Sequence, residues 1–205
     1  MIIGGLLQSG GIVGDIWKKA AGRLKIYDLR FKNILILGLG GGTAAQIFSQ
    51  RFPKAQIIGV DIDPVVIRMG KKYFGLDKIA NLKIVNQDAV EYVASSQIPD
   101  TSCQSSAISK KRKTGNWKLE AGGFNNFDSI IVVLYQGEKI PPKTEFSAFL
   151  KHLKLILSKD GILIFNRIFW DEHKKEAENF VKKAGKVFAK VELIRTVANL
   201  LVICR

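Results

Sequence analysis

The residues of this chain best suited to chemistry begin with a glycine cluster. In ILILGLGGGTAAQIF, Ile34 to Phe48, an apolar run turns sharply into a helical pattern through Gly38-Leu39-Gly40-Gly41-Gly42. Glycine is required where φ is positive, or where a side chain would block the close approach of a ligand. The helix that follows presents unpaired N–H groups to a polar or negative group. A nucleoside triphosphate would need Gly-Lys-Ser/Thr after the glycines, and this chain has Gly-Gly-Thr. A dinucleotide would need G-x-G-x-x-G, of which Gly40-Gly41-Gly42-Thr43-Ala44-Ala45 matches only the looser form ending in Ala.

Two acids narrow the choice. Asp61 stands in Val60-Asp61-Ile62-Asp63 at the end of the second predicted strand, where a carboxylate can accept from both hydroxyls of a ribose. Asp88 stands in Asn86-Gln87-Asp88-Ala89 at the end of the third, where it can accept from an adenine amino group while the Ala89 N–H reaches a ring nitrogen. The second acid points to an S-adenosyl nucleoside, S-adenosylmethionine or its decarboxylated form, over NAD. Asp88 can also cap the helix DAVEYVA, and the two roles are compatible. Gly38, Leu39, Gly40, Gly42, Asp61, Ile62, Asp88 and Ala89 form the expected cofactor set. Should the acceptor have to lose a proton, Tyr135 and Glu138 are the candidates near the mouth, each with a structural or solvated alternative. His152 and His173 read as non-catalytic, and the residues suggest no metal site.

Strands and helices must hold these residues. Strands are expected at Ile34–Leu37, Gln56–Val60, Leu82–Val85, Ser129–Leu134, Ile162–Phe165, Val187–Ile194 and Ala198–Cys204. Helices are expected at Thr43–Phe52, from an Asp63 cap and Pro64 with a stripe of Val66, Met69, Tyr73 and Phe74, along a stripe of Phe146, Phe149, Leu150, Leu153 and Leu157, and from Asp171 to Ala184 before Gly185. SKDG reads as the turn into the fifth strand. The alternation predicts an α/β fold: a doubly wound, mostly parallel seven-stranded Rossmann-like sheet of the methyltransferase type, ending in an antiparallel hairpin. Residues 1–30 form an N-terminal segment with a short helix, and 31–205 the binding domain. A Ser/Gly/Asn-rich basic loop with the run KKRKTG is inserted at about 95–126.

ILILGLGGGTAAQIF, IIGVDIDPVVIRMGKKYFGL, LKIVNQDAVEYV and FDSIIVVLYQGEKIPP…FLKHLKLILSKDGILIFN together resemble the spermidine synthase-like branch of the class I S-adenosylmethionine-dependent methyltransferase superfamily. The resemblance covers about residues 30–95 and 127–166. It implies an N-terminal glutamine against the nucleoside, matched by Gln8 ahead of Trp17. For aminopropyl transfer it implies an acid in the glycine loop and two after strand four; this chain has Gly41, Val133 and Gln136 there. The resemblance thus implies an S-adenosylmethionine-dependent methyltransferase. Aminopropyl transfer, or a catalytically degenerate nucleoside-binding partner subunit, stands as the alternative.

The bulk properties bound the partners. The 205 residues, 47% hydrophobic, are enough for one core, and no apolar run reaches the ~20 residues of a membrane span. The start lacks a basic n-region, so no signal peptide is read, and Cys103 and Cys204 match no disulfide or zinc spacing; a cytoplasmic protein is expected. The net charge of +14 rests on 24 Lys against 8 Arg scattered along the chain, a composition of a solvated surface more than of a phosphate-reading one. A small-molecule acceptor is expected, with a homodimer an option through the apolar start, no membrane, and nucleic acid not favoured.

Overall fold

The computed structural model describes residues 2–3, 6–7, 11–25, 31–96 and 126–205. Gln8, Cys103, Trp117 and the KKRKTG run lie outside the described residues. A small antiparallel pair, Ile2–Ile3 with Leu6–Leu7, precedes helix α1 (Gly11–Lys25). The main sheet comprises β1 (Asn33–Leu37), β2 (Gln56–Asp61), β3 (Leu82–Asn86), β4 (Phe127–Val132), β5 (Leu157–Ile168), β6 (Val191–Arg195) and β7 (Asn199–Cys204). The helices between them are α2 (Thr43–Arg51), α3 (Pro64–Phe74), α4 (Ala89–Ser95), α5 (Ser147–Ile156) and α6 (His173–Gly185). The strand order is β3-β2-β1-β4-β5-β7-β6, with β7 antiparallel to both its neighbours and the other pairings parallel. The expected doubly wound sheet and its C-terminal hairpin are therefore present. Chain order reverses between β1 and β4, so the loops after these strands border the crevice where such sheets hold ligands.

The continuous apolar runs follow from burial on both faces. Ile34 and Ile36 of β1 pack with Trp17, Phe48 and Ile57 under α1 and α2, while Leu35 and Leu37 pack with Val60, Leu150, Phe165 and Phe180 on the other side. Alternate residues of a strand point to opposite faces, and here neither face is wet. Trp17 is fully buried edge-on to Phe48, with centroids 6.4 Å apart, which makes it a core residue of the α1–α2 contact.

Several elements depart from the periodicity. On α3, Met69 and Tyr73 are exposed and Val66 and Phe74 half-buried, and Ile67 and Gly70 make the buried line. The helix docks edge-on against the glycine loop: a Cβ on Gly70 would lie 3.4 Å from the Gly40 carbonyl oxygen and 2.9 Å from Leu76 Cδ2. That narrow approach leaves the expected stripe outside. Phe146 is exposed at the N-cap of α5, and Leu157 already belongs to β5. SKDG lies inside β5 as a register irregularity, Phe127 pairing with Leu157 and Ser129 with Ile162, so the extra residues bulge instead of turning. The last helix starts at His173, because Asp171 has φ +44 and cannot be helical, and Gly185 is its final residue, followed by right-handed Lys186. The strand expected from Val187 begins only at Val191.

Candidate functional site

A cleft of about 430 Å³ opens at the carboxyl ends of β1 to β4. Gly38, Gly40, Asp61, Ile62, Asp63, Asp88 and Ala89 line it from one side. Val133, Leu134, Tyr135, Gln136 and Gly137 line it after β4, joined by Pro141, Lys143 and Thr144. Asp61 and Asp88 thus lie on one cleft beside the glycine loop, although β1, β2 and β3 bring them from distant parts of the sequence.

The loop after β1 is built by backbone constraint. Gly38, Gly40 and Gly42 have φ of +85, +54 and +87, the left-handed region that favours glycine. The N–H groups of Gly38 and Leu39 both donate to the Val60 carbonyl, at 2.9 and 3.2 Å, folding the loop back on β2. Space is filled here by protein. A Cβ on Gly38 would stand 2.2 Å from the Val133 carbonyl oxygen, and one on Gly42 would stand 2.2 Å from Leu76 Cδ1. Packing of the chain on itself already requires glycine at these two positions. Leu39 and Gly42 do not line the cleft: the Leu39 side chain is buried over Gly59, and Gly42 is turned against Leu76.

Asp61 is fixed at both oxygens. Its Oδ2 accepts from the Gly40 N–H at 2.8 Å and its Oδ1 from the Asp63 N–H at 3.0 Å. A carboxylate has about four acceptor sites, so both oxygens keep capacity toward the cleft. Asn86 steadies the same corner, its amide donating to the carbonyls of Asp61 and Ile62 at 2.9 and 3.0 Å. Asp63 caps α3 through Val65 and Val66 N–H, with Pro64 in the first turn, as the sequence indicates. Asp88 caps α4, with both bonds on Oδ1: 2.7 Å from Val90 N–H and 3.2 Å from Glu91 N–H.

The β4 side departs further from expectation. The Tyr135 hydroxyl donates to the Asn166 carbonyl at 2.6 Å, and burial pushes its phenol well above the ordinary tyrosine range against the opposing pull of Arg167. Glu138 is half-exposed and does not line the cleft; its carboxylate faces His173 Nε2 at 3.8 Å. His173 itself follows the end of β5 closely and is buried, with Nδ1 3.2 Å from Glu176, a location nearer the strand ends than its helical pattern suggests. Sequence reading missed the Pro141–Thr144 wall. It is held by Glu145, which pairs with buried Arg167 and, at 3.0 Å, with Lys183. The signal available was Pro141-Pro142 beside a lone acid ahead of α5. Among the described residues no group of three or more His, Cys, Asp or Glu could hold a metal ion.

No family model matches the chain. A polyamine aminopropyltransferase of Vibrio vulnificus is 26% identical over 141 residues, 69% of this chain and 39% of that protein. Human methyltransferase-like protein 13, solved in complex with SAH, superposes with a TM-score of 0.66 at 20% identity, covering 95% of this chain and 79% of the other. The fold is the Rossmann-like one of class I methyltransferase structures. The eEF1A lysine and N-terminal methyltransferase of Mus musculus is 24% identical over 178 residues, 84% of this chain and 22% of that protein. The chain spans about two fifths or less of the length of these curated relatives.

Proposed function

We propose that the protein is an S-adenosylmethionine-dependent methyltransferase and that the cleft between the β1–β3 loops and the β4 loop holds the cofactor. The observation that carries this reading is the presence of Asp61 and Asp88 on a single cleft beside the glycine loop. The donor set fits the group. Asp61 offers acceptor sites for two ribose hydroxyls while its protein bonds keep it in place. Asp88 makes its cap with Oδ1, which leaves Oδ2 for an exocyclic amine, and Ala89 and Ile62 give the base apolar walls. Gly38 and Gly40 bring backbone to the cleft without a side chain. Gln8 joins the set as a candidate on the resemblance alone.

When bound, S-adenosylmethionine would supply a sulfonium methyl whose carbon an acceptor attacks in line, the bond to sulfur breaking and the neutral thioether leaving. The chain's own work is then to position donor and acceptor and keep water out. Val133, Leu134 and Pro141 supply the apolar walls for that, and Tyr135 positions the β4 loop through Asn166 instead of taking a proton.

Aminopropyl transfer is the second reading, favoured by the aminopropyltransferase relative. It needs acids around a polyamine. Among the described residues the cleft's acids are the two assigned to the nucleoside and the Asp63 cap, while its β4 wall is neutral or, at Lys143, basic. Calorimetric titration with S-adenosylmethionine, decarboxylated S-adenosylmethionine and methylthioadenosine tests the choice. Tightest binding of S-adenosylmethionine is expected; preference for the decarboxylated form would move the assignment to aminopropyl transfer, and binding of none would leave a partner subunit without turnover. A cytoplasmic location belongs to the same reading. No helix among the described residues is long and apolar enough to cross a membrane.

A further inference from the structure

The outer face of α3, with Ile62 two residues ahead of the helix, is unusually apolar for a surface. Ile62, Val65, Met69 and Tyr73 are 64%, 52%, 40% and 58% exposed. Val65, Met69 and Tyr73 recur every four residues, so they form one stripe along the helix, and Ile62 extends it to the cleft mouth. Beside the stripe runs a second one, of Arg68, Lys71 and Lys72, all exposed. The Lys72 ammonium lies 5.0 Å from the Tyr73 ring centroid, joining the two stripes. From Pro64 to Phe74 the helix carries three cations and no acid. Contiguous apolar residues rimmed by charge mark an interaction surface.

We infer that this face docks a protein acceptor through an acidic, apolar-bearing segment, so that the methyl acceptor is a protein side chain or terminus entering the cleft past Ile62. This rests on the methyltransferase reading above and names its substrate class. Charge decides the sign of the partner: a helix face with Arg68, Lys71 and Lys72 complements an acidic chain and repels a basic one. Side-chain chemistry separates protein from nucleic acid. A single strand would bind through stacking on aromatic faces, and here three of the four exposed apolar residues are aliphatic, so that Tyr73 alone of the four offers a ring. Continuity with the cleft decides the role, since Ile62, Asp63 and Val66 belong to both the cleft wall and the base of this face.

The test uses the full chain, tritiated S-adenosylmethionine and a cell extract of the source organism, with Met69→Glu and the Arg68→Glu/Lys72→Glu pair beside the wild type. Calorimetry with S-adenosylmethionine is run on all three proteins. The expected result is protease-sensitive label from the wild type, reduced at least tenfold by both variants, with cofactor affinity unchanged. Label that resists protease and yields to ribonuclease would overturn the inference in favour of RNA. Label confined to small molecules, or protein label equal in the three proteins, would overturn it too. Cofactor bound with no transfer to any fraction overturns the substrate class, whereas failure of the wild type to bind the cofactor overturns the underlying methyltransferase reading instead.

Discussion

The carboxylate of Asp61 holds the amide of Gly40 at 2.8 Å, so the acid at the end of β2 and the glycine loop after β1 are locked into one unit. A ligand on that acid therefore meets a loop already in place. Exchange of Asp61 for Asn keeps the shape, removes the charge and presents an amide N–H to one of its donors. A loss of ~1.5–3 kcal/mol in cofactor binding is expected, about ten- to a hundredfold in Kd, from the loss of charge-assisted bonds. Titration of D61N against the wild type reads it directly.

Asp88 has two roles that substitution can separate. Asp88→Ser keeps an N-cap oxygen for Val90 and Glu91 but loses the second carboxylate oxygen. Thermal stability should stay within ~0.5 kcal/mol of wild type while S-adenosylmethionine binding weakens about tenfold or more. Asp88→Ala should weaken both, with ~1 kcal/mol lost from stability. Equal binding by the Ser variant and the wild type would reduce Asp88 to a cap.

At Gly38 the constraint is the loop's own packing. Gly38→Ala places a Cβ 2.2 Å from the Val133 carbonyl oxygen at a φ of +85. About 2 kcal/mol or more of stability should be lost, from the left-handed conformation alone and then from the displaced β4 loop. A melting curve measures the first effect, and weaker cofactor binding reports the second.

Glu145 ties the Pro141–Thr144 wall to the core through Arg167, which is 4% exposed. Desolvation raises the Glu145 pKa, but Arg167 and Lys183 together outweigh it and hold the carboxyl below its ordinary 4.5. A folded pKa below the unfolded one gives stability that is full above pH 4.5 and lost as pH falls through the lower folded value. Acid unfolding of the wild type should show this loss, and Glu145→Gln should remove it. The same variant should cost ~3 kcal/mol at neutral pH, because Arg167 is left buried without its anion.

Tyr135 supplies the complementary test. Tyr135→Phe should cost ~1 kcal/mol by removing the bond to the Asn166 carbonyl, and should leave the alkaline limb of any transfer activity unmoved, since burial keeps the phenol protonated there. A shift of that limb would restore Tyr135 as a proton acceptor.

How much of this was legible beforehand depends on what sets each feature. The glycines, Asp61 and Asp88 stand out because backbone conformation and polar function act on single residues, and they fall where a doubly wound sheet puts its ligand side. The strands of the sheet core are legible because β1, with Ile34 and Leu35 on opposite faces, must be apolar throughout. The α3 stripe was misread because Met69 and Tyr73 have helical spacing as good as that of Ile67 and Gly70, and only the close contact of Gly70 with the glycine loop decides which side is buried. The Glu145–Arg167 pair joins residues on separate elements, and nothing local in either sequence marks the other. Likewise Glu138 reads as a site residue by its place after β4, but the turn at Gly137 aims it at His173.

The measurement closest to the central claim is amide hydrogen exchange with and without S-adenosylmethionine, resolved by peptide. Cofactor binding is expected to slow exchange in the glycine loop at 38–42, at 61–63, at 88–90 and in the β4 loop at 133–137, with the rest of the sheet unchanged. No slowing at saturating cofactor, or slowing confined to segments away from these loops, would contradict it.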